Sequence, residues 1–355
     1  VLIVGGGTGG HVIPALAIAD ELRAHYGAEV RFLGTARGFE TRLVPAAGYP
    51  LDLIHVGQLK GVSPLTRLRT LLDLPTGLLR CFAILKKFEP AVVVGVGGYA
   101  SGPGMAAAIL RRIPTLAFEP NAAPGLANRL VGKRVSAAAV SFAPACAYFR
   151  NARVTGIPVR KEFFELQALR SDAAPHLLVF GGSQGARVFN QIMPRIAAAL
   201  LAAVPGLTIL HQAGARHSDA TQAAYPFQGA GSARWQVHAF LDSMAREFEL
   251  ASLVLARSGA STVAELCAAG KPAVLVPFPQ ATDDHQRKNA EVMVAAGAAR
   301  WIAEADLTDE ILLQTLVELL NDRRELLEMG LKAKALGRPQ AAADIAEMVA
   351  KLAAG

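Results

Sequence analysis

Two stretches of this sequence combine glycines with hydroxyl side chains at the spacing a phosphate needs. Gly5-Gly6-Gly7-Thr8-Gly9-Gly10 follows the apolar run 1–4, and Gly181-Gly182-Ser183-Gln184-Gly185 follows a second apolar run at 177–180. A strand that ends in a glycine turn and restarts as a helix aims free backbone N–H groups at an anion, and the helix dipole adds to the attraction. His11 comes directly after the first turn. The positive end of the dipole is expected to keep its imidazole neutral near pH 7 and able to take a proton. A third turn reads Arg257-Ser258-Gly259-Ala260-Ser261-Thr262-Val263-Ala264-Glu265. There Ser261 or Thr262 is expected to cap a helix whose free amides accept a diphosphate. Glu265, one turn in, can accept both hydroxyls of a ribose. The stretch 277–290 is polar, follows an apolar run and carries Asp283, Asp284, His285 and Gln286. It reads as a loop that hydrogen-bonds a sugar, with Gln286 the main candidate. Its acids have no second cluster at metal-ligand spacing, and no Asp-x-Asp pair occurs, so neither a metal nor another cofactor is expected.

The first turn also fits the Gly-x-Gly-x-x-Gly pattern of dinucleotide binding. That chemistry needs an acid at the end of the second strand to hold the ribose. The chain has Phe32-Leu33-Gly34-Thr35-Ala36-Arg37 there instead. A hydride-transferring enzyme would also leave the second glycine turn without a purpose, so this reading is disfavoured.

Elements must position these groups. Apolar runs at 1–4, 30–33, 91–94, 115–118 and 137–141 alternate with helix-period segments such as 13–25 and 104–111. A second series follows at 177–180, 208–212, 253–256, 273–276 and 299–302. Such alternation predicts parallel sheets covered by helices on both faces. The fold class expected is α/β, with two Rossmann-like domains, each opening on its own glycine turn. Ligands in such sheets bind at the carboxyl ends of the strands, so a cleft between the domains is the expected site. The domains are expected at 1–156 and 157–339, with Thr155-Gly156-Ile157-Pro158 as the hinge. A helix at about 340–355, after the break at Gly337-Arg338-Pro339, is expected to return to the first domain.

Composition narrows the class. The 355 residues are 52% apolar and 18% charged, with a net charge of +7. That is too apolar for long disorder. The longest uncharged runs, 90–110 and 196–215, are broken by glycines and by Pro205-Gly206, so neither reads as a membrane span. The run 1–4 enters its glycine turn without the basic and apolar regions of a secretory signal. Three widely spaced cysteines suit a reducing compartment. A soluble cytoplasmic protein is expected. Four of the excess positive charges fall in 60–89, where Lys60, Arg67, Arg69, Arg80, Lys86 and Lys87 outnumber Asp73 and Glu89 among interleaved leucines. A basic, apolar face of this kind suits an anionic lipid surface, unless its leucines are buried. With only 6% aromatic residues, the chain offers little for stacking bases, and nucleic acid is disfavoured.

Taken together, several motifs resemble one family. They are Gly6-Gly7-Thr8-Gly9-Gly10-His11, Gly34-Thr35, Gly97-Gly98-Tyr99-Ala100-Ser101-Gly102-Pro103, Glu119-Pro120-Asn121, Gly156-Ile157-Pro158-Val159-Arg160, Gly181-Gly182-Ser183-Gln184-Gly185-Ala186, Arg257-Ser258-Gly259-Ala260 and Asp283-Asp284-His285-Gln286. The chain resembles, over essentially its whole length, the MurG family of bacterial peptidoglycan N-acetylglucosaminyltransferases. The resemblance implies a two-domain glycosyltransferase-B fold and inverting transfer of N-acetylglucosamine from UDP-N-acetylglucosamine to the C4 hydroxyl of lipid I, giving lipid II. It implies donor contacts at Thr8, Gly9, Gly10, Asn121, Arg160, Ser183, the 260–264 turn (Ala260, Ser261, Thr262, Val263, Ala264), Glu265 and Gln286. The backbone of Leu241 would read the uracil edge. His11 or Glu119 would be the base, and the motifs do not choose between them. Pro120 stands where glutamine is common in the family, and it leaves Asn121 aligned. The 95–104 loop would wall the acceptor side. Leu72, Leu79, Phe82, Arg80 and Lys86 would meet the cytoplasmic face of the membrane, making the protein peripheral, with cell-wall synthesis and division proteins as further partners. The alternative is a UDP-N-acetylglucosamine 2-epimerase-like enzyme on the same scaffold, which needs no lipid acceptor.

Overall fold

The computed structural model describes residues 1–56, 64–167, 174–226 and 234–355, with side chains described outside 64–74. The chain divides into two compact units. One is Val1–Pro158 together with Arg338–Gly355, and the other is Val159–Gly337.

In the first unit, β1 (Leu2–Val4), β2 (Arg31–Thr35), β3 (Leu51–Ile54), β4 (Val93–Gly95), β5 (Thr115–Glu119), β6 (Ala137–Val140) and β7 (Ala152–Val154) form a parallel sheet. Its order is β3-β2-β1-β4-β5-β6-β7. In the second unit, β8 (His176–Phe180), β9 (Thr208–Gln212), β10 (Trp235–His238), β11 (Leu253–Ala256), β12 (Ala273–Leu275) and β13 (Ala299–Trp301) form another, ordered β10-β9-β8-β11-β12-β13. Helices cover both faces of such sheets, so central strands read as unbroken apolar runs. Ile3 pairs in register with Phe32 on one side and Val94 on the other, and all three are buried. The α/β class with two Rossmann-like sheets is therefore what the chain adopts.

In each unit the strand order reverses beside the first strand, between β1 and β4 and between β8 and β11. Chain connections leave to opposite sides there, which opens a crevice at the carboxyl edge. Both glycine turns lie at these points. The helix Gly9–Tyr26 buries Val12, Ala15, Ile18, Ala19 and Leu22, and it ends on Gly27 in the left-handed conformation. The helix Ala341–Ala354 packs against it and buries Ile345, Ala346 and Val349. Arg153 of β7 reaches both Asp344 (2.9 Å) and Glu347 (3.2 Å) on that helix.

Candidate active site

In the first unit the turn after β1 interlocks with the turn after β4. The Gly6 amide donates to the Gly97 carbonyl (3.1 Å). A Cβ on Gly98 would overlap the Gly6 carbonyl and one on Gly5 would overlap the Gly97 carbonyl, and both residues hold positive φ, so the two backbones meet only because Gly5 and Gly98 carry no side chains. Thr8 occupies the N-cap of the Gly9–Tyr26 helix in extended conformation, and its hydroxyl makes no cap bond. It lies instead 3.3 Å from His11 Nδ1. That nitrogen is also 3.2 Å from the Gly6 carbonyl oxygen. A carbonyl only accepts, so a hydrogen bond along this contact uses the tautomer with the proton on Nδ1 and the lone pair on Nε2, while the Thr8 hydroxyl can serve either tautomer. The ring rests on the 97–98 turn, where a Cβ on Gly97 would sit 3.0 Å from Nε2.

Glu119 ends β5, two strands from β1, and is 2% exposed. Oε1 accepts from the Asn121 amide (3.0 Å) and from Asn121 Nδ2 (3.1 Å). Oε2 accepts from the Gly125 amide (3.2 Å) and from Asn128 Nδ2 (2.9 Å). Burial pushes its carboxyl above the usual range, opposed by these hydrogen bonds from Asn128, Asn121 and Gly125. A carboxylate has about four lone-pair sites, and here all are taken. These four bonds tie Glu119 to the loop that carries Asn121. Pro120 is accommodated within that loop, and Asn121 remains half-exposed at the sheet edge.

In the second unit the 181–186 turn is pinned to the end of β9. Asn190 Nδ2 donates to the Ala213 carbonyl (2.9 Å), and Gln212 Nε2 donates to the Gly182 carbonyl (3.1 Å). Ser183 is exposed on this turn. The following helix is capped by Ala186 and begins at Arg187, so Ser183 precedes the helix amides instead of lying at them. After β11 the helix Ala260–Ala269 is capped by Gly259. Neither Ser261 nor Thr262 caps it, contrary to expectation. Glycine is itself an acceptable N-cap, and using it puts both hydroxyls inside the first turn.

Beneath these turns lies Arg257. Its Nη1 donates to the Val276 and Pro277 carbonyls, both at 3.1 Å, and Nη2 pairs with Glu304 at 2.5 Å. Its guanidinium also lies against the rings of Phe189 and Phe278. Ser258 Oγ donates to the Gln286 carbonyl (2.8 Å), while Gln286 Oε1 accepts from the Phe278 amide (2.9 Å). The loops after β11 and β12 are thus one tied assembly. The expected loop at 277–290 is shorter: a helix, His285–Ala295, begins one residue before Gln286. Leu241 is buried in the segment that follows β10.

Glu265 is half-exposed at its surface but set in dense protein. Burial pushes its carboxyl up to about 7, with Arg160 pulling it down and Glu162 pushing it up. Arg160 pairs with Glu162 at 2.8 Å. The unfolded chain ionises near 4.5, so between 4.5 and about 7 only the folded state holds this proton. The contribution of Glu265 to stability therefore falls as pH rises through that window. Among the described residues, no group of three or more His, Cys, Asp or Glu side chains is arranged to hold a metal ion.

The basic stretch falls on the helix Pro64–Phe88. Leu79 is 67% exposed, and Arg80 and Lys86 are exposed as well. Phe82 is different: it is half-buried and packs on the core of the first unit. Lys60 lies outside the described residues, as do the side chains of Arg67, Arg69, Leu72 and Asp73. Among the described residues no helix is long and apolar enough to cross a membrane.

One site residue escaped the sequence reading. Glu40 is 1% exposed, and its carboxylate accepts from the Gly7 amide (2.7 Å), the Thr35 amide (2.9 Å) and Thr35 Oγ1 (3.0 Å). A Cβ on Gly34 or Gly38 would collide with this side chain. Glycines at 34 and 38, around a turn that needs an anchor, were the only signal of it.

Two parallel sheets, each with a glycine turn where its strand order reverses, are the setting in which the chain matches the family 28 glycosyltransferases. The family's N-terminal domain matches residues 1–140 and its C-terminal domain matches residues 176–347. The chain belongs to the MurG family. It is 43% identical, over 99% of its length and 92% of the relative's, to the UDP-N-acetylglucosamine--N-acetylmuramyl-(pentapeptide) pyrophosphoryl-undecaprenol N-acetylglucosamine transferase of Myxococcus xanthus (strain DK1622). The crystal structure of Acinetobacter baumannii MurG superposes with a TM-score of 0.82 at 32% identity, covering 99% of this chain and 98% of that one. The UDP-GlcNAc 2-epimerase of Neisseria meningitidis shares the fold alone, at 13% identity and a TM-score of 0.67, with 99% of each chain covered.

Proposed function

We propose that this chain transfers N-acetylglucosamine from UDP-N-acetylglucosamine to the C4 hydroxyl of undecaprenyl-linked lipid I, forming lipid II and UDP with inversion at the anomeric carbon. Family membership over 99% of the chain carries this reading, because the fold is shared with epimerases. In the proposed step, Nε2 of His11 takes the proton of the acceptor hydroxyl as its oxygen bonds to C1. The bond from C1 to the diphosphate breaks, and UDP leaves with the electron pair. Backbone amides at the start of the Ala260–Ala269 helix, together with Arg160, stabilise the departing charge. Thr8, Gly9, Gly10 and Ser183 line the glycine turns around the diphosphate and sugar, Asn121 and Gln286 hold the sugar, and the Leu241 backbone reads the base. UDP release that requires a lipid I analogue is the expected result with purified protein. Isomerisation of the donor in the absence of acceptor would support the epimerase instead.

Glu265 is assigned to the ribose. A carboxylate accepts from two hydroxyls better than a neutral carboxyl does, and this group changes state at about 7. The KM for donor is therefore expected to rise as pH falls below 7, by nearly tenfold per pH unit at the limit. Glu265→Ala should raise that KM about 10–100-fold and remove its pH dependence. Steady-state kinetics from pH 5.5 to 8.5, a span of about three units across the titration, provide the check. A pH-independent KM in the parent protein counts against the assignment.

The first unit is proposed to rest on an anionic membrane surface through Leu79, Arg80 and Lys86. The helices Pro64–Phe88, Ser101–Leu110 and Leu126–Val131 pack in succession. Each presents an exposed leucine, at 79, 110 and 130. Replacing Leu79 and Leu110 with serine is expected to weaken binding to anionic vesicles about tenfold or more, each buried leucine being worth roughly 1.5–3 kcal/mol. Turnover of a water-soluble acceptor should stay within about twofold, since lipid insertion plays no part in that assay. Undiminished vesicle binding would return these leucines to an ordinary surface role. A peripheral position on the cytoplasmic face, near cell-wall synthesis and division proteins, follows from this reading.

A further inference from the structure

Glu40 has no part in the reaction as described, yet it is buried, acidic and hydrogen-bonded to the turn that carries His11. The arrangement turns on a single peptide bond. The Gly7 amide donates to Glu40 Oε2 at 2.7 Å, and the carbonyl of that same peptide, on Gly6, lies 3.2 Å from His11 Nδ1. Carboxylate, peptide and imidazole therefore form one chain of hydrogen bonds. The next peptide is held as well, since the Phe39 amide donates to the Gly7 carbonyl (3.2 Å). The carboxylate is fixed in turn by the Thr35 amide and hydroxyl. Its space exists only because Gly6, Gly34 and Gly38 lack side chains, each of which would strike it.

We infer that Glu40 is a positioning residue for the transfer reaction, acting on His11 through the Gly6–Gly7 peptide. The inference rests on His11 being the base. An anion on the N–H end of a peptide draws that proton and enriches the carbonyl oxygen at the other end, because hydrogen bonds in series polarise one another. The enriched carbonyl then holds Nδ1–H more firmly. This selects the tautomer whose lone pair lies on Nε2, and it stabilises the imidazolium formed when Nε2 takes a proton. A carboxylate bonded directly to a catalytic histidine does the same over a shorter path. Here the intervening peptide also fixes the glycine turn, so one side chain sets both the shape of the turn and the state of the ring.

Glu40→Gln tests this. Glutamine keeps the volume but has one acceptor oxygen, so it cannot serve both the Gly7 and the Thr35 amides. The expected result is a fall in kcat of about 10–100-fold, the range for outer-shell partners of functional histidines, with KM for donor and acceptor changed less than about twofold. In a His11→Ala background the same substitution should change kcat less than about twofold, because the group through which it acts is gone. Nitrogen-15 NMR of His11 should show neutral ring protonated at Nδ1 in the parent protein and a mixture of tautomers in the variant. Ile18→Val, a buried change on the same helix, serves as a control for stability alone and should leave kcat unchanged. If Glu40→Gln does not fold, Thr35→Val loosens the carboxylate instead and is read by the same cycle with His11→Ala.

Three results would overturn the inference: an equal loss of kcat with and without His11, an unchanged kcat in a folded Glu40→Gln protein, or an unchanged tautomer. Normal turnover by His11→Ala alone would instead overturn the assignment of the base. The two failures are therefore distinguishable.

Discussion

His11→Ala is expected to lower kcat by about 10²–10⁴-fold, the range for a general base, while KM for the nucleotide sugar stays within about threefold. The acceptor hydroxyl is a poor nucleophile until its proton has somewhere to go. Single-displacement inversion makes no covalent enzyme intermediate that could share the difficulty. The histidine, as the proposed base, is held on several sides. Its Nδ1 faces the Gly6 carbonyl, its ring lies on the 97–98 turn, and it sits in the first turn of the helix Gly9–Tyr26. Removing the imidazole should leave substrate binding largely in place, because the groups assigned to the donor's phosphate and ribose are on other residues. UDP release at saturating donor and acceptor measures the effect, and thermal melting establishes that the variant is folded. Turnover within about threefold of the parent would exclude His11 as the sole base.

The opposite pattern is expected of Glu119→Ala, whose main effect falls on stability. The substitution strips the acceptor from the amides of Asn121 and Gly125 and from both side-chain amides, of Asn121 and Asn128. Each donor left without a partner in a buried setting costs about 1–3 kcal/mol, although Asn128 Nδ2 keeps its bond to the Phe118 carbonyl at 3.0 Å. A total of about 3–5 kcal/mol is expected, comparable to removing one member of a buried charged network. For a unit of this size, that corresponds to a melting temperature lower by roughly 10 °C. Activity should fall as well, through the displacement of Asn121. Glu119→Gln should lie between the two, since one of its terminal atoms becomes a donor facing donors. Calorimetry decides the matter. A melting temperature within about 2 °C of the parent, together with abolished turnover, would reinstate Glu119 as a chemical participant.

The central strands were legible because they are unbroken apolar runs. Thr208–Gln212 and Leu253–Ala256 fall where hydropathy alone places them. The strands that escaped notice are β3, β7 and β10, and all three lie at sheet edges. An edge strand has one neighbour and partial exposure, so Leu51-Asp52-Leu53-Ile54 and Ala152-Arg153-Val154 carry charges that break the pattern. The glycine turns were legible for a local reason, since the need for glycine is expressed at the position itself. Residues that act across the fold were not. Glu40 serves amides at 7 and 35, and the donors to Glu119 come from two, six and nine residues further on. Neither set follows a helical or strand period. The expected cap at Ser261 or Thr262 failed by two or three residues because glycine, which has no side chain to advertise the role, took the N-cap. Phe82 looked like its neighbour Leu79 in composition, and only packing separates the one that leans on the core from the one that faces solvent.

The first unit is assembled from two distant pieces of chain, with the helix Ala341–Ala354 seated on the helix Gly9–Tyr26. This has a consequence for biogenesis. As the chain leaves the ribosome, the stretch 1–158 emerges first but lacks the surface that buries Ile345 and Val349, while Val159–Gly337 is continuous and can finish folding by itself. The unit that carries His11 is thus completed after the continuous unit Val159–Gly337 already exists. A ribosome that stops before residue 338 releases an early domain with an uncovered apolar helix face, a substrate for chaperones and proteases, beside a late domain that is whole.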